Sequence, residues 1–85
     1  MRHALNFDAK KIHALPDFKL QVELVDGRQG YFDMVPYLAL PGFSALRDPA
    51  YFSRVTILYG AATWPDGEDI APGSLAAEME TLASA

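Results

Sequence analysis

Phe18-Lys19-Leu20-Gln21-Val22-Glu23-Leu24 alternates apolar and polar side chains without a break, and Val25-Asp26-Gly27-Arg28 then leads into a second extended run, Gln29 to Met34. Side chains of a strand point alternately to its two faces, so strict alternation marks a half-buried strand. A turn signal between two such runs predicts an antiparallel hairpin. Parity decides the loop. A two-residue Asp26-Gly27 turn pairs Leu20 with Asp33 and puts an acid on the apolar face. A three-residue loop with Gly27 left-handed pairs Leu20 with Phe32 and Phe18 with Met34, so the glycine-bulge loop is expected.

Working outward, Ala9 to Leu15 reads as a further strand closed by Pro16-Asp17, with Lys10 and Lys11 suited to a protected sheet edge. Downstream, Arg54 to Tyr59 leads through Gly60-Ala61 into Ala62-Thr63-Trp64, a second hairpin with a type II′ turn. That register pairs Tyr59 with Ala62 and Ile57 with Trp64, and places Val55, Ile57, Tyr59 and Trp64 on one face, with Trp64 in the core. Between the hairpins, Pro36, Pro41, Gly42 and Pro49 rule out a long helix or central strand. Short turns are expected there, including a single helical turn over Pro49 to Phe52 capped by Asp48. The tail from Pro72 to Ser84 is helical in composition, with Leu75, Met79 and Leu82 spaced as one stripe and Asp69 and Pro72 marking its start. The stripe either covers the sheet or meets a partner. The expected fold is therefore α+β: an antiparallel sheet of about four to five strands from two hairpins, short turns and a C-terminal helix, in a single domain over residues 1–85.

The totals fit that reading. In 85 residues, 51% hydrophobic and 12% aromatic, there is enough apolar surface for one core and too little chain for two. The absence of cysteine removes thiolate nucleophiles, zinc–thiolate sites and disulfides together. Asp8, Lys10 and Lys11 interrupt the N-terminal apolar residues before signal-peptide or membrane-span length, so a cytoplasmic protein is expected. The net charge of −4 argues against a free-standing nucleic-acid binder. Charge is also unevenly placed. Up to Arg54 there are seven basic and six acidic residues, a net of +1; from Val55 onward Asp66, Glu68, Asp69, Glu78 and Glu80 stand without a basic residue, a net of −5. Such an imbalance can orient a basic partner, or simply keep a solvated surface charged.

Few residues suggest chemistry. Asp66-Gly67-Glu68-Asp69 puts three carboxylates in four positions, but the twelve-position spread of a calcium loop is absent and Pro65-Asp66-Gly67 is a turn tripeptide. No metal site is expected. His3 and His13 lie in no ligand or dyad spacing, and no serine stands in a nucleophile elbow. No phosphate-binding glycine loop occurs, so no cofactor and no catalytic residue is expected. Tyr31, Tyr37, Tyr51 and Tyr59 with Phe7, Phe18, Phe32, Phe43 and Phe52 suit a core better than a base-stacking platform, because Lys and Arg are sparse around them.

The order of these signals has a family likeness. F-K-L-Q-V-E-L-V-D-G, then Tyr31-Phe32-Asp33, Phe43 to Leu46, Arg47-Asp48 and Phe52, and finally Trp64-Pro65-Asp66-Gly67 followed by Asp69-Ile70-Ala71-Pro72, resembles the small bacterial family catalogued as domain of unknown function 2442, similar to the N-terminal domain of a Nitrosomonas europaea protein type. The resemblance covers nearly the whole chain and implies an α+β fold without implying an activity. Some relatives carry a helix-turn-helix domain after this one, and others are encoded beside a second small protein in a toxin–antitoxin-like arrangement. This chain has room for only one helix after the motif, so autonomous DNA binding is not expected. The motif makes Trp64, Asp66, Gly67, Glu68 and Asp69 a candidate partner-binding loop, although joining a hairpin to a helix accounts for the same residues. Two functions follow: a non-enzymatic, antitoxin-like interaction module for a small basic protein, or a small-ligand or nucleic-acid sensor using the aromatic sheet.

Overall fold

The computed structural model describes residues 8–81 and contains two antiparallel sheets, short helical turns and a C-terminal helix. The first sheet grows from the alternating stretch. Strands β1 (Ala9–Leu15), β2 (Lys19–Leu24) and β3 (Gln29–Asp33) form a meander in which Ile12 pairs with Val22 and Ala14 with Leu20, while Leu20 pairs with Phe32. Alternation therefore puts Leu20, Val22, Leu24 and Phe32 inside and leaves Lys11, His13, Gln21, Glu23 and Tyr31 on the outer face.

The β2–β3 loop has the three-residue form the parity argument requires. Leu24 and Arg28 close it through a 2.8 Å bond from the Leu24 N–H to the Arg28 carbonyl, and Gly27 is left-handed at φ 98°. The strands begin and end one residue inside the expected limits. Phe18 at φ 60° belongs to the turn over Pro16–Phe18, and Met34 has turned into helical geometry, yet the Met34 N–H still donates to the Phe18 carbonyl at 2.9 Å.

Strands β4 (Thr56–Leu58), β5 (Ala61–Thr63) and β6 (Asp69–Ile70) make the second sheet, so the two hairpins do not share one. The expected turn at Gly60-Ala61 is corrected: Tyr59-Gly60 are the central residues, at φ 51° and 79°, and Leu58 pairs with Ala61 and Ile57 with Ala62. The reason lies in β1. The Ala9 N–H donates to the Gly60 carbonyl at 2.9 Å, and a Cβ on Gly60 would run into the Asp8 side chain. Glycine is thus held at the second position of a type I′ turn, and Tyr59 takes the other left-handed position. Moving the pairing by two residues keeps side chains on their faces, so Ile57, Ala62 and Trp64 still lie together while Tyr59 leaves, 91% exposed.

The intervening segment is a chain of single turns, Val35–Tyr37, Ser44–Arg47 and α1 (Pro49–Phe52), as its prolines dictate. The Asp48 carboxylate caps α1 by accepting from the Ala50 N–H at 3.0 Å.

The tail departs furthest from expectation. Helix α2 spans only Pro72–Glu78, with Ala71 at its cap position; Asp69 lies in β6 and does not cap it. The chain turns extended at Met79, and β7 (Glu80–Thr81) pairs with β3, Gly30 opposite Thr81 and Tyr31 opposite Glu80. An open β3 edge offers backbone partners that further helix would leave unmet, and Gly30 permits the approach, since a Cβ there would overlap the Glu80 carbonyl. The first sheet therefore runs β1-β2-β3-β7. Leu82 and Ser84 lie outside the described residues, as do His3 and Phe7.

One hydrophobic cluster joins both sheets, α1 and α2; its fully buried members include Trp64, Phe32, Leu20, Leu24, Met34, Leu46, Leu75 and Val22. Burying each of the larger of these side chains contributes roughly 1.5–3 kcal/mol. Among the described residues no polar or charged side chain is buried, and no helix is long and apolar enough to cross a membrane.

Candidate interaction surface

Trp64 directly follows β5 and points inward. It is 1% exposed, stacks on Phe52 at a centroid distance of 5.8 Å, and its indole N–H donates to the Phe52 carbonyl at 2.9 Å. A buried indole needs such a partner, and this one fixes β5 to α1. Beyond it the backbone forms a second three-residue loop: the Trp64 N–H donates to the Glu68 carbonyl and the Gly67 N–H to the Trp64 carbonyl, both at 2.9 Å, with Gly67 at φ 101°.

One hydroxyl holds this loop to the rest of the molecule. Tyr51 of α1 accepts from the Asp66 N–H at 2.8 Å and donates to Glu68 Oε1 at 2.6 Å. Partial burial, followed by the Glu68 hydrogen bond and the negative charges of Asp66 and Glu68, raises the Tyr51 pKa above its ordinary value of 10.0, with the Asp66 N–H acting in the opposite direction. The phenol thus remains a donor at neutral pH. Asp66, Gly67 and Asp69 are exposed and Glu68 is half-buried. Asp69 points outward from β6 while Ile70 points in, 4% exposed.

The motif residues therefore divide. Trp64 and Gly67 build the loop, whereas the carboxylates of Asp66 and Asp69 face solvent. Leu75 is fully buried and Met79 is 6% exposed, which places both in the core. The aromatic residues do not collect on the sheet. Phe32 and Phe52 are internal, Tyr59 is isolated in its turn, and Tyr31 alone of these points out from the first sheet.

A second feature was not visible in the sequence. Asp33, at the end of β3, accepts the Val35 N–H at 3.0 Å and turns the chain into Val35–Tyr37. Tyr37 packs against Phe32 at 5.6 Å and Phe43 at 6.0 Å, and its hydroxyl donates to Glu78 Oε1 at 2.5 Å. Phe32, Asp33, Tyr37 and Glu78, with Pro36 and Leu40, line an open cleft of about 390 Å³. The Glu78 hydrogen bond first, then burial and the Glu78 charge, push the Tyr37 pKa up to about 12. The Asp33-x-Val35 turn could be read locally, but the Tyr37–Glu78 contact joins residues 41 apart and has no local signature.

Both ion pairs among the described residues lie in the first sheet and its β2–β3 loop: Lys10 with Glu23 at 3.9 Å, and Arg28 with Asp26 at 2.9 Å. Asp66, Glu68, Asp69, Glu78 and Glu80 form none. Nor do three His, Asp or Glu residues converge as metal ligands among the described residues.

The family described as Protein of unknown function (DUF2442) matches residues 9–81, spanning every strand and both helices. The chain belongs to DUF2442. No curated protein and no solved structure matches it. Within this DUF2442 member, the Trp-Pro-Asp-Gly motif is the hinge between β5 and β6, with its buried half in the core and its acidic half on the surface.

Proposed function

We propose that this protein is a non-enzymatic interaction module that binds a small basic protein through the carboxylates of its C-terminal third, in an antitoxin-like or regulatory role. One observation carries the reading: five carboxylates between residues 66 and 80 have no cationic partner among the described residues, and two of them face solvent, Asp66 from the loop fixed by Tyr51 and Asp69 from the start of β6 just beyond it. A fixed acidic surface gives a basic partner orientation and a faster encounter, and salt weakens both. Because Asp66 and Asp69 are exposed, changing their charge leaves core and loop bonds intact.

The test is affinity capture from a host lysate with nuclease present, repeated with Asp66→Lys and Asp69→Lys variants of unchanged circular dichroism. A small basic protein retained in near-stoichiometric amount, lost at high salt and bound about tenfold more weakly by the variants, is the expected result; tenfold corresponds to about 1.4 kcal/mol. Wild-type capture by the charge-reversed variants overturns the reading.

A further inference from the structure

The cleft between β3, the Val35–Tyr37 turn and the end of α2 combines apolar walls with acidic groups. Phe32, Pro36, Tyr37 and Leu40 supply the walls, and Asp33 and Glu78 are the charged residues lining it. Its volume of about 390 Å³ falls within the range of ligand-sized sites. Leu40 is 48% exposed, an apolar side chain left at the surface beside the two acids. We propose that this cleft receives a lysine side chain of the partner protein, its methylene stem along Leu40, Pro36 and Tyr37 and its ammonium between Asp33 and Glu78; this rests on the interaction-module reading.

Three observations select that occupant. An aliphatic stem ending in a cation matches an apolar groove with carboxylates, because lysine buries its methylenes while keeping its head solvated or paired. Neither acid has a cationic partner among the described residues. Each acid also has one oxygen engaged already, Asp33 Oδ1 by the Val35 N–H and Glu78 Oε1 by the Tyr37 hydroxyl. The remaining oxygens belong to two different side chains, which suits the radiating donors of an ammonium better than the planar fork of a guanidinium, whose best match is both oxygens of one carboxylate. The Tyr37 hydroxyl meanwhile fixes Glu78, so the site is built before its ligand arrives.

The experiment is an amide NMR titration of the full chain with Nα-acetyl-lysine N-methylamide, and in parallel with the norleucine analogue, which has the same type of stem without the ammonium. Expected are saturable shifts at Asp33, Tyr37, Leu40 and Glu78 with the lysine probe, at least fivefold smaller shifts with norleucine, and weaker binding of the lysine probe in Glu78→Gln and Asp33→Asn. Both substitutions retain an acceptor oxygen for the existing hydrogen bond, and Asp17→Asn, at an exposed acid outside the cleft, serves as a control expected to bind normally. Equal shifts with norleucine, no shifts with either probe, or undiminished binding in both variants overturns the lysine site. If lysine binds but no basic protein is ever captured, the assignment to a partner's side chain falls. If capture succeeds and depends on Asp66 and Asp69 while the cleft stays silent, only this inference fails and the module reading stands.

Discussion

The loops Leu24-Val25-Asp26-Gly27-Arg28 and Trp64-Pro65-Asp66-Gly67-Glu68 have the same backbone and different side-chain ties. Each closes with a bond from its first N–H to its last carbonyl and another from the glycine N–H to the first carbonyl, all between 2.8 and 2.9 Å, with the glycine near φ 100°. The first loop is braced by its own side chains, the Asp26 carboxylate accepting from the Arg28 backbone N–H at 3.0 Å and from its guanidinium at 2.9 Å, and by one backbone bond from the Val25 N–H to the Asp8 carbonyl at 2.9 Å. The second is held from outside, by Tyr51 on its Asp66 amide and Glu68 carboxylate. An Asp-Gly pair after an inward-facing strand residue thus sets the turn, while residues distant in sequence decide how the turn is tied to the rest of the molecule, a backbone carbonyl at Asp8 for one and a side-chain hydroxyl at Tyr51 for the other.

The largest effects come from removing the buried residue that opens each loop. Trp64→Ala should cost about 3–5 kcal/mol and Leu24→Ala about 2–5 kcal/mol in urea denaturation, with Trp64 at least as costly because its indole hydrogen bond is lost with its packing. Next come the glycines. Gly27→Ala and Gly67→Ala each force a side chain into the left-handed region where nothing else obstructs it, and should cost about 1–2 kcal/mol. Equal costs sharpen the likeness of the two backbones; a much larger cost at Gly67 breaks it.

Tyr51→Phe separates the loops at about 1 kcal/mol, the net value of a typical hydrogen bond. It should speed hydrogen exchange at Asp66 and leave Gly27 and Arg28 unchanged. The smallest effects lie at opposite ends of the pH scale. Hydrogen bonding by the Arg28 backbone N–H lowers the Asp26 pKa below 3.8, against the opposing effect of desolvation and with a lesser contribution from the Arg28 guanidinium. The stability it adds is present above the unfolded value and disappears as pH falls through the native one. Tyr51 is raised above 10.0, so its contribution is complete below pH 10 and is lost as pH rises through its native value. Amide exchange should show the first loop loosening in acid and the second in alkali, with Asp26→Asn abolishing the former and Tyr51→Phe the latter.

Legibility in the sequence follows the reach of the forces involved. Alternation over residues 18–24 and the parity of Leu20 against Phe32 identify the central hairpin, because register there depends on near neighbours. Asp48-Pro49 identifies its own helical turn for the same reason, and an apolar face places Trp64 inside. The second turn falls at Tyr59-Gly60 because β1 approaches Gly60, a contact between residues half a chain apart. The tail leaves its helix at Met79 because β3 offers an edge, a feature absent from the tail's own composition. Strand β6 is two residues long and carries no period to read. The acidic half of the motif is legible as charge, but the cleft is not, since Tyr37 and Glu78 lie 41 residues apart and become neighbours only when the tail has folded back on the middle of the chain.

The pairing of β7 with β3 also has a consequence for the order of synthesis. The β1–β2–β3 meander is contiguous in the chain and can zip together as it emerges from the ribosome, since its contacts are local. The β3 flank that will carry β7 stays bare while the whole second sheet and α2 are still being made. During that interval the nascent protein presents an unpaired strand to its surroundings, and arrival of Glu80-Thr81 beside Gly30 and Tyr31 covers the middle of it.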